Sequence, residues 1–149
     1  MTTRKHMVAV GAICTTAIFR VPHIDPPPAK ILATQRCEVV DGMAISAACA
    51  FQKLGGQSHV WARVGDDPEA NVMRQALSAE GIDTQGLFTV KGSRSSHASV
   101  IVDGLGQRLV VPFHDPQVDT SAHWLPLDML DHIDLLHCDV RWVDGAQAA

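Results

Sequence analysis

Two patterns of apolar residues run along this chain, and each predicts a different kind of element. Short apolar runs at 7–13, 58–64 and 135–140 are typical of strands buried in a parallel sheet. Between them, apolar residues recur at helical spacing from Met43 to Leu54 and from Pro68 to about Glu80. Strands that alternate with helices predict an α/β fold, in which helices flank a parallel sheet.

The residues around the two predicted helices mark where each helix begins or ends. Gly55 and Gly81 follow the last apolar positions and predict C-terminal caps. Asp66 and Asp67 stand directly before Pro68, a residue suited to the first turn of a helix. We therefore interpret this carboxylate pair as helix N-capping rather than as a catalytic pair.

Two segments, 15–40 and 87–113, have strand patterns but no helical partners of their own. The most economical arrangement pairs them with each other, as a small sheet that projects from the core. Residues 103–106 read Asp-Gly-Leu-Gly, which predicts a hairpin turn inside the second segment. The remaining segments form the α/β core of a single domain, 1–149: they are 5–14, 41–86 and 114–149.

Composition and charge narrow the class of protein. Apolar residues make up 46% and charged residues 19% of the 149 residues, which is ordinary for a globular domain with a real core. A formal net charge of −4 gives no electrostatic case for binding nucleic acid or an anionic membrane surface. No apolar run approaches the ~20 residues that span a bilayer. We expect neither a nucleic-acid partner nor a membrane segment.

The cysteines and histidines do not have the spacing of a metal site. C-x-x-C and H-x-H patterns do not occur, and His137 and Cys138, as neighbours on a strand, point to opposite faces. Each cysteine lies in an apolar segment, so we expect buried free thiols and a reducing, cytoplasmic location. The four cysteines are Cys14, Cys37, Cys49 and Cys138.

Three residues are candidates for binding a small molecule at the carboxyl ends of the strands, where open α/β sheets bind their ligands. Gly42 stands directly before the first helix, and two interpretations of it remain. Either the free N–H groups at the start of the helix face a hydroxyl or an anion, or the glycine only allows tight packing. Arg141, bracketed by apolar neighbours, must be paired or face a cleft, and its fork suits a carboxylate, sulfonate or phosphate. Lys30 follows the prolines at 26–28 and either reaches over the cleft or is simply solvated.

Four segments resemble, in order and spacing, the N-terminal signature of the ribokinase-like (PfkB) carbohydrate kinase family: 42–48, 54–55, 63–67 and 77–84. The hairpin at 96–113 is similar to the lid strands of that family. Within the family the likeness is nearest to the sulfofructose kinase branch, because of residues 139–142 and Ser95-Ser96. The resemblance covers essentially the whole chain.

This resemblance implies a ribokinase-like fold with a small projecting β lid, present here as an incomplete N-terminal part. In the family, the Gly-Ala-Gly-Asp anion hole, the general base and the ATP pocket lie in the second half, which falls beyond residue 149. We therefore expect no catalytic residue in this chain and no kinase activity from the chain alone. ATP and Mg²⁺ are the implied cofactors.

The resemblance also implies which residues contact the substrate. The family's Gly-Gly is Asp41-Gly42 here, its sugar-binding asparagine falls at Ser46, and its sugar-gripping aspartate falls at Thr16. In the sulfofructose kinase branch, a lid lysine and an arginine at a strand end hold the anionic head of the sugar. These correspond to Lys30 and Arg141.

Two functional hypotheses follow. The first is ATP-dependent phosphorylation of a sugar or sugar-acid hydroxyl, with this chain supplying the sugar cleft and the lid. The alternative is a non-catalytic sugar-binding or dimerisation module derived from a truncated kinase. In either case we expect a homodimer that forms through the lid strands.

Overall fold

The computed structural model describes residues 4–26, 30–118 and 121–149. The proline run that follows the second strand lies partly outside them, at Pro27 and Pro28. The elements, in chain order, are β1 (His6–Val10), β2 (Cys14–Arg20), β3 (Gln35–Asp41), α1 (Met43–Lys53), β4 (Gln57–Val64), α2 (Pro68–Ala79), β5 (Leu87–Thr89), β6 (His97–Val102), β7 (Arg108–Phe113), a 3-10 helix (Leu127–His132), β8 (Leu135–Cys138) and α3 (Val143–Ala148).

The core sheet has the strand order β5-β4-β1-β8, and all its strands are parallel. On one face, Ala9 of β1 packs with Ala48 of α1 and Met73 of α2 in a single buried cluster. On the other face, Trp61 and Trp142 belong to a second buried cluster. The predicted parallel sheet with helices packed on it is confirmed, and its central strand β1 is buried on both faces.

The predicted cap of α2 is also confirmed. The Asp67 carboxylate accepts a hydrogen bond from the Ala70 backbone N–H at 3.1 Å, and Pro68 occupies the first turn. The same carboxylate accepts two more from Ser95, one from its N–H at 2.6 Å and one from its hydroxyl at 2.7 Å. Burial opposes ionisation of Asp67, but the hydrogen bonds from Ser95 and Ala70 outweigh it and lower its pKa. The Gly-Asp-Asp turn therefore has a structural role.

The second sheet has the strand order β3-β2-β6-β7. β2 pairs antiparallel with β3 and parallel with β6, and β6 pairs antiparallel with β7. The predicted hairpin between β6 and β7 forms, and the Asp103 carboxylate fastens its turn by accepting the N–H groups of Leu105 and Gln107, each at 2.9 Å. The predicted pairing of the two strand segments is confirmed through the contact of β2 with β6.

The prediction that the whole of 87–113 belongs to this second sheet is wrong for β5. This strand pairs in parallel with β4, with Leu87 opposite Ala62, and so extends the core sheet. The connection from β4 through α2 to β5 is a strand–helix–strand crossover, which returns the chain to the same sheet. The side chain of Leu87 is buried in the core cluster.

Two predictions of burial are wrong. β8 lies at the edge of the core sheet, where Leu135 is 47% and Leu136 39% exposed. Cys37 on β3 and Cys138 on β8 are exposed as well, although all four cysteines are free thiols as predicted. The cause is the same in both places, because β3 and β8 are edge strands that have a neighbour on one side only among the described residues.

Candidate functional site

The candidate site lies where the carboxyl end of the core sheet meets the start of the second sheet. Asp139, only 6% exposed, fastens three segments there. Its Oδ2 accepts hydrogen bonds from the Ala12 N–H at 2.9 Å and the Ala44 N–H at 3.3 Å. Its Oδ1 accepts the Arg141 N–H at 2.8 Å. One buried carboxylate therefore joins the β1–β2 connection, the start of α1 and the segment after β8.

Two glycines let these segments come so close. A Cβ on Gly11 would overlap the Asp139 carboxylate, and a Cβ on Gly42 would overlap the Ala12 carbonyl oxygen. Gly42 also has φ 141° and ψ 154°, a conformation that is essentially restricted to glycine. The tight-packing interpretation of Gly42 thus has direct structural support. Asp139 already takes the N–H of Ala44, which leaves fewer helix N-terminal donors for a ligand.

Ser46 and Asp41 form a polar pair at the mouth of this site. The Ser46 hydroxyl donates a hydrogen bond to Asp41 Oδ1 at 3.2 Å, and both residues are exposed. Asp41 is the last residue of β3, directly before the helix start at Gly42. Asp41 is not among the residues that the sequence predicts for the site; its place beside Gly42, where the family has glycine, is the signal that could have found it.

Thr16 lies deeper, on β2. It is 4% exposed, and its hydroxyl oxygen is 3.5 Å from the Cys14 sulfur. Burial raises the pKa of the Cys14 thiol; the contact with Thr16 and the charge of Arg141 lower it, and the charge of Asp41 raises it. Asp41 and Arg141 therefore both lie near enough to Cys14 for their charges to act on its thiol.

Arg141 is exposed, and no carboxylate in the described part of the chain forms an ion pair with it. The structure brings Arg141 together with Thr16, Gly42 and Ser46 around Asp139 and Cys14. Lys30 is also exposed, but no hydrogen bond or ion pair between described residues joins it to the other four candidates. Four of the five predicted contacts are thus linked through Cys14, Asp41 and Asp139, whereas the role of Lys30 stays a prediction.

The described residues contain no cluster of side chains that could hold a metal ion by themselves. Over 4–26, 30–118 and 121–149, no three His, Cys, Asp or Glu side chains lie close enough together to hold a metal ion. The same ranges contain no helix that is long and apolar enough to cross a membrane.

Solved structures with the same arrangement of strands and helices define the class of protein. A candidate ribokinase from Agrobacterium tumefaciens superposes with a TM-score of 0.88 at 34% identity, over 93% of this chain and 45% of that one. Ribokinase from Arabidopsis thaliana, solved with ribose and ATP, superposes with a TM-score of 0.77 at 15% identity, over 99% of this chain and 50% of that one. The fold is ribokinase-like.

The sequence then identifies the family. The model of the pfkB family carbohydrate kinases matches residues 4–146, and the chain belongs to this family. Fructokinase from Escherichia coli is 30% identical over 96 residues, which cover 64% of this chain and 31% of the relative. The chain spans half or less of the length of each of these relatives. The predicted family and fold are confirmed, whereas the sulfofructose kinase branch stays a prediction.

Proposed function

We propose that this chain supplies the sugar cleft of an ATP-dependent carbohydrate kinase, which phosphorylates a hydroxyl of a sugar or sugar acid. The observation that carries the proposal is the match of the pfkB carbohydrate kinase family over residues 4–146. The geometry agrees with it, because polar and charged side chains gather at the carboxyl ends of parallel strands, where α/β proteins bind small ligands. The second sheet acts as the lid.

Within this cleft, each predicted contact has a distinct task. Thr16, Gly42 and Ser46 line the part that receives the sugar hydroxyls. Arg141 and Lys30 bind an anionic group of the substrate; the guanidinium of Arg141 suits this task, since no described carboxylate forms an ion pair with it. The substrate therefore belongs to the sugars or sugar acids, with the second class favoured by Arg141.

We propose ATP and Mg²⁺ as cofactors, which would bind in the half of the family fold that this chain does not span. Ribokinase from Cryptococcus neoformans, a structural neighbour with 21% identity, was solved in complex with ADP. We propose that the 149-residue chain alone is inactive as a kinase, because the resemblance places the anion hole, the general base and the ATP pocket of the family outside residues 1–149. When bound, the Mg²⁺-nucleotide would supply the phosphoryl group and the charge neutralisation that the transfer needs.

The test is a chimera in which this chain replaces the matching 45% of the Agrobacterium protein. Sugar-dependent ATP hydrolysis is measured for the chain alone, the chimera and the unmodified Agrobacterium parent, with a panel of neutral and anionic sugars on which the parent is active. We expect turnover from the chimera and none from the chain. A folded chimera without sugar-dependent turnover contradicts the kinase assignment, and turnover by the chain alone contradicts the placement of catalysis.

The second candidate function is a sugar-binding or dimerisation module. The outer strand β7 favours it, because Leu109, Val110, Val111 and Phe113 are each between 43% and 57% exposed. Such an edge offers both unpaired backbone groups and apolar surface to a second copy. Sedimentation velocity tests the proposed homodimer: Val111→Lys is expected to give a monomer. Leu54→Lys, at the exposed C-terminal end of α1 and outside the second sheet, is the control and is expected to leave the dimer intact.

We also propose a cytoplasmic location. Cys37 and Cys138 are exposed free thiols, which persist best in a reducing compartment. Localisation of a tagged chain by fractionation tests this directly.

A further inference from the structure

The residue at position 16 is poorly placed to bind a sugar hydroxyl by itself. Thr16 is 4% exposed, and its hydroxyl already contacts the Cys14 sulfur at 3.5 Å. A ligand in the cleft reaches little of this side chain. A more exposed neighbour of Thr16 is therefore better placed to bind the substrate hydroxyls.

Asp41 lies on the same face of the second sheet as Thr16. Cys14 is paired with Asp41 across the β2–β3 ladder, and Thr16 is paired with Val39. Paired residues of an antiparallel ladder share a face, and so do residues two apart on one strand. Asp41 is therefore displaced from Thr16 along the strands by two residues, in the direction of the start of α1.

The Asp41 carboxylate has hydrogen-bonding capacity to spare. Oδ1 accepts the Ser46 hydroxyl at 3.2 Å, and Oδ2 accepts no hydrogen bond from the described residues. No cationic side chain of those residues forms an ion pair with it either. An ionised carboxylate accepts up to about four hydrogen bonds, so this one can take neighbouring hydroxyls of a ligand while Ser46 holds it in place.

The positive charge of the cleft is the guanidinium of Arg141, and its segment is joined to the start of α1. The backbone N–H groups of Arg141 and Ala44 both donate to the Asp139 carboxylate, and Ser46 follows two residues after Ala44 on the first turn of α1. The cleft therefore presents a carboxylate and a guanidinium from two segments that a single side chain fastens together. This arrangement suits a ligand that has hydroxyls at one end and an anionic group at the other.

We propose that Asp41, held by Ser46, is the specificity-determining residue that binds substrate hydroxyls in this cleft, opposite the anion-binding Arg141. The inference rests on the proposed function and deepens it, since it assigns the substrate to the polyhydroxylated acids. Asp41 binds the hydroxyls directly, whereas Thr16 lines the same part of the cleft with a side chain that is almost fully buried. Ser46 acts as the positioning residue for the carboxylate.

The test is calorimetric titration of the 149-residue chain, without nucleotide, with D-fructose as a neutral probe and D-gluconate as an anionic one. Asp41→Asn is expected to weaken binding of both probes by about tenfold to a hundredfold, because it removes a charged acceptor. Arg141→Ala is expected to weaken binding of D-gluconate alone. Glu38→Gln is the matched control, since Glu38 is an exposed acid on the same strand but on the opposite face, and it is expected to change neither affinity.

The outcomes separate the two proposals. If the wild-type chain binds neither probe, the proposed sugar cleft fails, and this inference fails with it. If the wild-type chain binds a probe and Asp41→Asn binds it equally well, only the role of Asp41 is overturned. Circular dichroism of each variant verifies that the exposed substitutions leave the fold unchanged.

Discussion

The buried carboxylate of Asp139 gives the sharpest test of how the site is built. Asp139→Ala removes the acceptor of three N–H groups, which lie at 2.9, 3.3 and 2.8 Å. A hydrogen bond to a charged group contributes about 1.5 to 3 kcal/mol, and the longest of the three counts for less. Since water reaches some of the freed donors, we expect a loss of about 4 kcal/mol in the free energy of unfolding.

The measurement is urea denaturation of the 149-residue chain, followed by tryptophan fluorescence. Asp139→Asn keeps one acceptor oxygen but turns an NH₂ group toward an N–H donor, so we expect a smaller loss, of about 2 kcal/mol. Asp144→Ala removes an exposed acid nearby and is the control, with an expected change within about 0.5 kcal/mol. A loss below about 1 kcal/mol for Asp139→Ala would refute the assignment of Asp139 as the fastening residue.

A double-mutant cycle with Gly11 tests the same contact from the other side. A Cβ at Gly11 overlaps the Asp139 carboxylate, so Gly11→Ala is expected to be strongly destabilising in the wild type. In the Asp139→Ala background the clash is gone, and the same change costs less, with a coupling of at least about 1 kcal/mol. Additive effects of the two substitutions would contradict the close packing of these residues.

Three further predictions concern acidity, thiols and the helix start. The lowered pKa of Asp67 stabilises the fold at pH values above 3.8, the ordinary pKa, and this contribution is lost as the pH falls through the lowered pKa. The difference in unfolding free energy between wild type and Asp67→Asn should therefore shrink from pH 6 to pH 3. A difference that stays constant over this range would contradict the role of Asp67. Alkylation near neutral pH, followed by mass spectrometry, should label Cys37 faster than Cys138. The reason is that the pKa of Cys138 is raised, mainly by burial and also by the charge of Asp139. Equal labelling rates would contradict this order. Gly42→Ala should lower the free energy of unfolding by at least about 2 kcal/mol, as measured by urea denaturation. Alanine is strained at the φ of Gly42, and its Cβ would overlap the β1–β2 connection. An unchanged stability would mean that the backbone at this position can relax.

Local signals in the sequence are enough to predict the helices of this fold. The apolar spacing of α1 and α2, and the caps at Gly55, Asp67 and Gly81, act over a few residues and appear in the structure as expected. The partner of β5 is not a local property, because a three-residue strand carries no mark of the sheet that it joins. Burial of β8 likewise depends on which neighbour covers an edge strand.

The site shows the same division between local and distant causes. Gly42 and Arg141 stand out by residue type and position, and Ser46 is marked only by the resemblance to the family. Asp139 joins the start of α1 to the segment of Arg141. Asp139 escapes sequence reasoning, because its carboxylate acts on backbone groups 127 and 95 residues away. Asp41 is visible only as an aspartate next to the glycine that begins a helix, and its role depends on the strand register.

The proposed function requires this chain to hold a sugar cleft between the end of the core sheet and the second sheet, and it fails if that claim is false. The most direct test is the titration of ¹⁵N-labelled chain with D-fructose and D-gluconate, without nucleotide, followed by amide chemical shifts. We predict saturable shifts at Thr16, Gly42, Ser46 and Arg141, and none along the exposed end of α2 near Glu80. The absence of any saturable shift, or shifts confined to another surface, would contradict the claim.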